Sequence, residues 1–218
     1  TIQNAHVDLK DILRHGTFDL SSYDAVGFAT STQFMGVPYR FSDFIKQLPK
    51  QDDKPAFVFN TYGAMSGQTL KILDRLATTR GFKVLAGHSL LMPENYPPLI
   101  IKGWGNADAP DEKELLAFKQ FTTQLAEQLN RLRNGGPVER AKIRIGLLNS
   151  LMRPKSPAGA RRTIGPLSVD GTLCTGCGTC VDACPYQAIQ LATQPVFKTE
   201  SCCGCWTCFN RCPQQAIF

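Results

Sequence analysis

The chain has 218 residues, a formal net charge of +6 and 43% hydrophobic residues, a balance that fits one soluble domain or two. It contains no run of 18 apolar residues and opens with no signal segment, so the sequence predicts no membrane-spanning helix and favours the cytoplasm. All nine cysteines lie at or after Cys174. The region before them can bury an apolar core of its own, whereas the short stretch that holds them cannot do so unaided.

The first 133 residues alternate short apolar runs with amphipathic stretches. Apolar residues at helical spacing predict one helix around Phe44 and a second around Leu73 that ends at Gly81. Such alternation is typical of an α/β domain with a parallel sheet covered on both faces, and we assign it residues 1–133. The predicted strands are residues 25–29, 56–59 and 83–87, with residues 5–9 as a weaker candidate.

A third helix is predicted to begin at a capping box formed by Asp111 and Glu114. The sequence at 134–137, Asn-Gly-Gly-Pro, is predicted to end it. Its apolar residues are expected to face a core: Leu115, Phe118, Leu125, Leu129 and Leu132.

Two loops follow predicted strands, and parallel sheets bind ligands at the carboxyl ends of their strands. Each loop offers glycine, small hydroxyl groups and an aromatic ring that can stack on a flat ring such as a flavin. The alternative is that the hydroxyls cap the next helices and the aromatic rings pack in the core. The candidate contacts are Thr30, Ser31, Thr32, Gln33, Phe34, Asn60, Thr61, Tyr62 and Gly63.

A strongly basic segment comes next. Nine basic residues at 131–162 face the single acid Glu139, a balance of +8 that leaves the rest of the chain close to neutral. The segment is predicted to dock an acidic protein partner or an anionic lipid surface, or else to be a solvated linker helix at 134–165. No nucleic-acid partner is expected, because aromatic residues do not alternate with these charges. The basic residues are Arg131, Arg133, Arg140, Lys142, Arg144, Arg153, Lys155, Arg161 and Arg162.

The last part of the chain, assigned residues 166–218, holds two blocks of the form C-x₂-C-x₂-C-x₃-C-P. The blocks repeat with a period of 28 residues, the separation of Cys174 and Cys202. In this motif the fourth cysteine of each block ligates the cluster of the other block. The sequence therefore predicts one [4Fe–4S] cluster on Cys174, Cys177, Cys180 and Cys212, and another on Cys202, Cys205, Cys208 and Cys184.

Two other readings of these cysteines exist, a disulfide framework and zinc knuckles. Zinc sites usually pair two C-x₂-C elements across a longer gap, and disulfides need no repeated Cys-Pro, so iron–sulfur binding is favoured. Cys203 has no counterpart in the first block, where Thr175 stands, and is interpreted as a bystander thiol. An apolar shell is expected to keep water from the clusters: Val181, Ile189, Val196, Phe197, Trp206, Phe209 and Ile217.

With these motifs in view, the chain resembles the flavodoxin–ferredoxin fusion proteins of anaerobic bacteria and archaea. The resemblance is carried by residues 22–28, 61–67, 81–84 and 92–96 and by the cysteine blocks. It implies a doubly wound parallel sheet of order 2-1-3-4-5, incomplete in this sequence, that holds FMN. A small α+β ferredoxin domain with two [4Fe–4S] clusters would follow.

The sequence departs from that family at its start. The family opens with a strand and a hydroxyl-rich loop that wraps the FMN phosphate at a helix N-terminus, and no such loop precedes Thr30. The sequence is a fragment, another chain completes the sheet, or the domain is naturally shortened and has lost its flavin. We favour a fragment, because a sheet without its central strand exposes strand edges. Relatives commonly carry Pro-Tyr where Ser31-Thr32 stand, which leaves Phe34 and Tyr62 as candidate stacking rings.

These features predict an electron-transfer protein that couples a two-electron flavin to one-electron clusters in an anaerobic or microaerobic cell. One alternative is a flavin-dependent reductase of a small substrate, whose proton donor would be His88, placed after a predicted strand end. Another is an electron-transfer subunit that docks onto a larger redox complex by its basic segment.

Overall fold

The computed structural model of the chain describes residues 5–15 and 18–218. These residues form two compact units. The first contains the described residues up to Glu94 and Asn106–Pro154, and the second contains Asn95–Gly105 and Lys155–Phe218. Within the described ranges, every helix is too short or too polar to cross a membrane.

The first unit is built on a parallel sheet. Its described strands are β1 (Val26–Ser31), β2 (Lys54–Tyr62) and β3 (Phe82–Leu91), hydrogen-bonded in the order β1-β2-β3. The three main strand predictions are therefore confirmed, whereas the five-strand flavodoxin order stays a prediction. The weaker candidate at 5–9 is wrong, since these residues form no strand and leave Val7 and Leu9 78% and 89% exposed.

The helices are mostly short, with one long exception. The Asp111 carboxylate accepts a hydrogen bond from the Glu114 N–H (2.8 Å) and so caps the long helix as predicted. The described helices are α1 (Ile12–His15), α2 (Tyr39–Gln47), α3 (Thr69–Thr79), α4 (Pro97–Ile101), α5 (Glu112–Arg133), α6 (Leu147–Leu151), α7 (Pro157–Ile164), α8 (Thr179–Asp182) and α9 (Thr207–Arg211).

Side chains of β2 alternate between two buried clusters, as expected for a strand covered on both faces. Val58 packs with Val84 and with residues of α2 and α3, among them Leu73. Phe57 and Phe59 instead contact a cluster formed with α5, whose buried residues are Phe121 and Leu125. The predicted core position Leu115 is wrong, because that side chain is 50% exposed.

The part of the basic segment that belongs to the first unit, up to Pro154, lies against the sheet. The Ala141 N–H donates to the Val84 carbonyl (2.8 Å), Ile143 packs on the buried cluster of α2 and α3, and Asn149 Oδ1 accepts from the Gly67 N–H (3.2 Å). Arg140 pairs with Asp74 (2.8 Å). The whole basic segment is thus irregular chain with two short helices, α6 and α7, and not a single solvated helix.

The second unit is held by two small antiparallel pairings. Strand β4 (Ile189–Leu191) pairs with β5 (Pro195–Phe197). Val169 pairs with Ile217, and the neighbouring Ser168 and Phe218 exchange backbone hydrogen bonds of 2.8 and 3.0 Å. The two pairings are equivalent under the repeat, since Ile189 corresponds to Ile217 and Val169 corresponds to Phe197, each 28 residues later. Each repeat therefore pairs its last strand with the first strand of the other.

The core of this unit is part sulfur. Cys180, Cys208, Ile189 and Ile217 are buried together, with partly buried apolar residues around them. The predicted shell is confirmed for Val181, Ile189, Phe197, Phe209 and Ile217. The prediction is wrong for Val196, which points outward from the β4-β5 pair and is 54% exposed.

Candidate metal centres

The two cysteine loops share one backbone course. Gly176 and Gly204 have φ of +68° and +72°, and each loop ends in a second left-handed residue before its short helix. In the first loop that residue is Gly178 (φ +77°), and in the second it is Trp206 (φ +58°). A left-handed conformation costs a residue with a Cβ about 1–2 kcal/mol, so the strain at Trp206 points to a role for its side chain.

Each loop lines one cavity together with the fourth cysteine of the other block. The first cavity, with an empty volume of about 320 Å³ open to solvent, is lined by Cys174, Cys177, Cys180 and Cys212. The second, of about 350 Å³, is lined by Cys202, Cys205, Cys208 and Cys184, with Cys203 beside them. The structure therefore brings together the same two sets of four cysteines that the crossed assignment groups.

Backbone amides point at several of these sulfur atoms. The N–H groups of Ala188 and Ala216 donate to Cys184 Sγ and Cys212 Sγ, each at 3.3 Å, and the Gly204 N–H donates to Cys202 Sγ at 3.4 Å. Donors of this kind stabilise negative charge on sulfur, which is the form that ligates iron.

The thiols differ in how readily they ionise. Burial raises the pKa of Cys208 to about 12, and it also raises the pKa of Cys180 and Cys202. A hydrogen bond from Cys203, assisted by one from Thr207, lowers the pKa of Cys205 to about 6. The Thr179 side chain lowers the pKa of Cys177 in the same way. Metal binding deprotonates its thiol ligands. The three thiols whose pKa is raised would therefore release protons on binding a metal, whereas Cys177 and Cys205 form thiolates more readily.

Cys203 is buried, 6% exposed, and lines the second cavity. Its side chain interacts with that of Cys205 and lowers the pKa of the Cys205 thiol. Its burial agrees with the interpretation of Cys203 as a packed thiol outside the motif.

The residues around the second cavity fit a cluster with sulfide acceptors. Trp206 lines that cavity, and its indole N–H is buried without a hydrogen-bond partner among residues 5–15 and 18–218. In the same part of the chain no three His, Cys, Asp or Glu side chains converge on the position of a single metal ion. A cubane makes a different demand, since each thiolate binds its own iron and the four sulfur atoms surround a larger object.

The predicted flavin contacts lie at the carboxyl ends of β1 and β2. Ser31 stands opposite Thr61, and the Thr32 N–H donates to the Thr61 carbonyl (2.7 Å), so the two loops are neighbours. Asn60 is fully buried, with its amide bonded to Thr32 Oγ1 (3.0 Å) and Ser89. These polar groups are therefore occupied within the fold.

The remaining flavin candidates lie in the two loops themselves. Gln33 pairs with Gly36 in a tight turn, where Phe34 has a φ of +45°. Beyond β2, the Ala64 N–H donates to the Glu94 carboxylate (2.9 Å), which also occupies the space that a Cβ at Gly63 would need. Thr30 lies within β1, and Tyr62 is the last residue of β2.

His88 was predicted to follow a strand end, but it lies inside β3. Its ring stacks on Phe121 and Phe59 (ring centroids 5.4 and 6.3 Å apart). Burial lowers the pKa of His88 and Glu114 opposes that shift, so the imidazole is a neutral member of an aromatic cluster.

Comparison with known protein families gives a match within the second unit. Residues 167–190 match the 4Fe-4S binding domain family. The match covers the first cysteine block and indicates a [4Fe–4S] cluster and iron–sulfur electron transfer. No curated protein matches the chain significantly. Shifted by the repeat period of 28, the matched segment becomes residues 195–218, which is the second block.

Two contributors to the second site were missed from the sequence. Asn95 Nδ2 donates to the Cys205 carbonyl (3.1 Å), and the Tyr96 ring lies beside Trp206, with ring centroids 5.8 Å apart. No local signal places residues more than a hundred positions away against this loop. A signal for Trp206 did exist: a bulky residue replaces glycine at the same point of the repeat.

Proposed function

We propose that the chain is an electron-transfer protein that binds two [4Fe–4S] clusters. Cys174, Cys177, Cys180 and Cys212 hold one cluster in this proposal, and Cys202, Cys205, Cys208 and Cys184 hold the other. The observation that carries it is the convergence of each crossed set of four cysteines on one cavity. The extension of the 4Fe-4S binding domain match by one repeat period supports the second cluster.

A bound [4Fe–4S] cluster supplies one-electron redox chemistry. The protein contributes the environment. The amides of Ala188, Ala216 and Gly204 donate to cysteine sulfur, and buried Ile189 and Ile217 exclude water from the space between the cavities' cysteines. Donors and exposure both tune the potential of such a cluster.

The test is anaerobic purification followed by iron, acid-labile sulfide and flavin analysis. Four irons come from each set, so we expect about eight irons and eight sulfides per chain. A content of about four irons would reject the second cluster, and a zinc-loaded or disulfide-bonded product would reject the proposal as a whole.

A finer proposal is that FMN binds at the carboxyl ends of β1 and β2 and passes electrons to the clusters. The adjacency of the two loops through Thr32 and Thr61 supports it, while the internal bonding of Asn60 leaves fewer free donors there. The same analysis tests it: about one FMN per chain supports binding, and a flavin-free chain that takes up no added FMN rejects it.

Docking of an acidic protein partner near residues 131–162 stays a proposal. Arg140 is committed to Asp74, and Arg133 lies 3.6 Å from Asp24, so Lys142, Arg144 and Arg153 are the residues to test. A partner that co-purifies at low salt and is lost at high salt would support docking. The reductase alternative is less favoured, because the ring of His88, its candidate proton donor, is stacked on Phe59 and Phe121.

A further inference from the structure

The two cysteine loops differ in exposure although their backbones match. Thr175 and Cys177 in the first loop are exposed. At the same positions of the second loop, Cys203 is 6% exposed and Cys205 is half-buried. Duplicated loops of one backbone course would be equally exposed if nothing else touched them, so another part of the unit must cover the second loop.

Asn95 and Tyr96 lie against the second loop and its neighbouring aromatic ring. They precede α5 in the sequence, yet they belong to the same compact unit as the cysteine blocks. The Asn95 amide donates to the Cys205 carbonyl (3.1 Å), and the Asn210 amide donates in return to the Asn95 carbonyl (2.9 Å). This exchange fixes residue 95 against both the loop and the helix α9 that follows it.

Aromatic rings extend the cover. The Tyr96 ring lies beside Trp206, and Trp206 in turn meets Phe209 edge to face, with ring centroids 5.7 Å apart. The second cavity is also lined by Tyr186 and Phe197, whereas Thr175 and Gln214 line the first. One site is therefore wrapped in aromatic side chains, and the other is bordered by polar side chains at the surface.

We propose that residues 95–105 are a fixed cover over the second cysteine loop, and that external electron partners meet the chain at the uncovered first loop. This rests on the proposed function, because it needs a cluster in each cavity. A partner that meets the first loop would exchange a single electron with the cluster that Cys174, Cys177, Cys180 and Cys212 would hold, and no covalent bond in the chain would form or break. The cluster in the second cavity would exchange electrons with external partners by way of the cluster in the first cavity.

The loops contain a matched pair of positions for an access test. Cys203 lies outside both proposed ligand sets, and Thr175→Cys places a thiol at the equivalent position. The iron-loaded Thr175→Cys chain is treated with iodoacetamide without air, and each thiol is followed by peptide mass spectrometry while visible absorption confirms intact clusters. Because alkylation requires access to the thiol, we expect Cys203 to react about tenfold more slowly than the new thiol, or slower still.

Opening the cover should change only one of these rates. Tyr96→Ala is expected to accelerate alkylation of Cys203 several-fold and leave the thiol of Thr175→Cys unaffected. Trp104→Ala is the matched control, since Trp104 lies in the same segment but is 61% exposed, and it should change neither rate. Equal rates at the two positions in the eight-iron parent chain would overturn the cover, even if Tyr96→Ala failed to fold.

Electron entry is tested with a bulky maleimide on Thr175→Cys and reduced methyl viologen as the one-electron donor. We expect the clusters of the labelled Thr175→Cys chain to be reduced several-fold more slowly than those of a Glu200→Cys chain that carries the same label at an exposed position. Equal rates would overturn entry at the first loop. A chain with fewer than eight irons would instead reject the proposed function, so the two failures are distinguishable.

Discussion

The two units of this protein are stabilised by different means. The first has strands of six to ten residues and a fully buried apolar cluster that includes Val58, Leu73 and Val84. The second has strands of three residues, and half of its buried cluster is cysteine. Apolar burial contributes most of the stability of the first, whereas the second brings thiols together, an arrangement that the proposed metal ligation would stabilise.

Removal of iron should produce the largest difference in stability between the two units. Because structural metal binding contributes folding free energy directly, we expect anaerobic chelation to abolish amide protection in residues 188–198 and leave β2 protected. Hydrogen exchange followed by mass spectrometry measures both regions in one sample. Amide protection that persists in the cysteine region of the iron-free chain would show that the second unit is stable without metal.

Within the second unit, Cys184→Ser should affect the cavity of the other block. We expect iron to fall from about eight to about four per chain, with the loss confined to the second loop. Cys212→Ser is the matched variant and should empty the first site instead. Alkylation mapping of the released thiols identifies the emptied site, and release of Cys174 and Cys177 by Cys184→Ser would reverse the crossed assignment.

In the first unit, Leu73→Ala should reduce stability without touching the metal. The side chain is fully buried, so its truncation should lower the free energy of unfolding of the sheet by about 2–5 kcal/mol. Urea unfolding followed by far-UV circular dichroism measures the loss, and iron content is the control. Loss of iron in this variant would show that the two units do not fold independently.

The smallest expected effect concerns the unpaired indole N–H of Trp206. If it donates to a sulfide, Trp206→Phe removes a donor worth about 1 kcal/mol and makes the potential of the second cluster about 40 mV more negative. Redox titration followed by electron paramagnetic resonance measures each cluster. Phe209→Leu is a packing control that removes no donor, and an equal shift there would assign the effect to packing.

Sequence periodicity predicted the three described parallel strands, and motif spacing predicted which cysteines line one cavity, for different physical reasons. Apolar runs mark the middles of buried strands, but β3 runs on to Leu91 through the polar residues His88 and Ser89, because their partners in β2 also stay in register. Ligand spacing is fixed by the shape of a cubane, so the motif encodes which cysteines meet. Neither signal extends to Asn95 and Tyr96, since their contacts with the second loop depend on tertiary packing.

The strand pairing of the second unit bears on how such a chain could have originated. Each 28-residue repeat carries three cysteines for its own cavity and one for its neighbour's, and each lends its last strand to the other. A single ancestral repeat would leave both an edge and a coordination position open. Two identical short peptides, associated as a symmetric dimer, would close both at once, and gene fusion would then join what assembly had already paired.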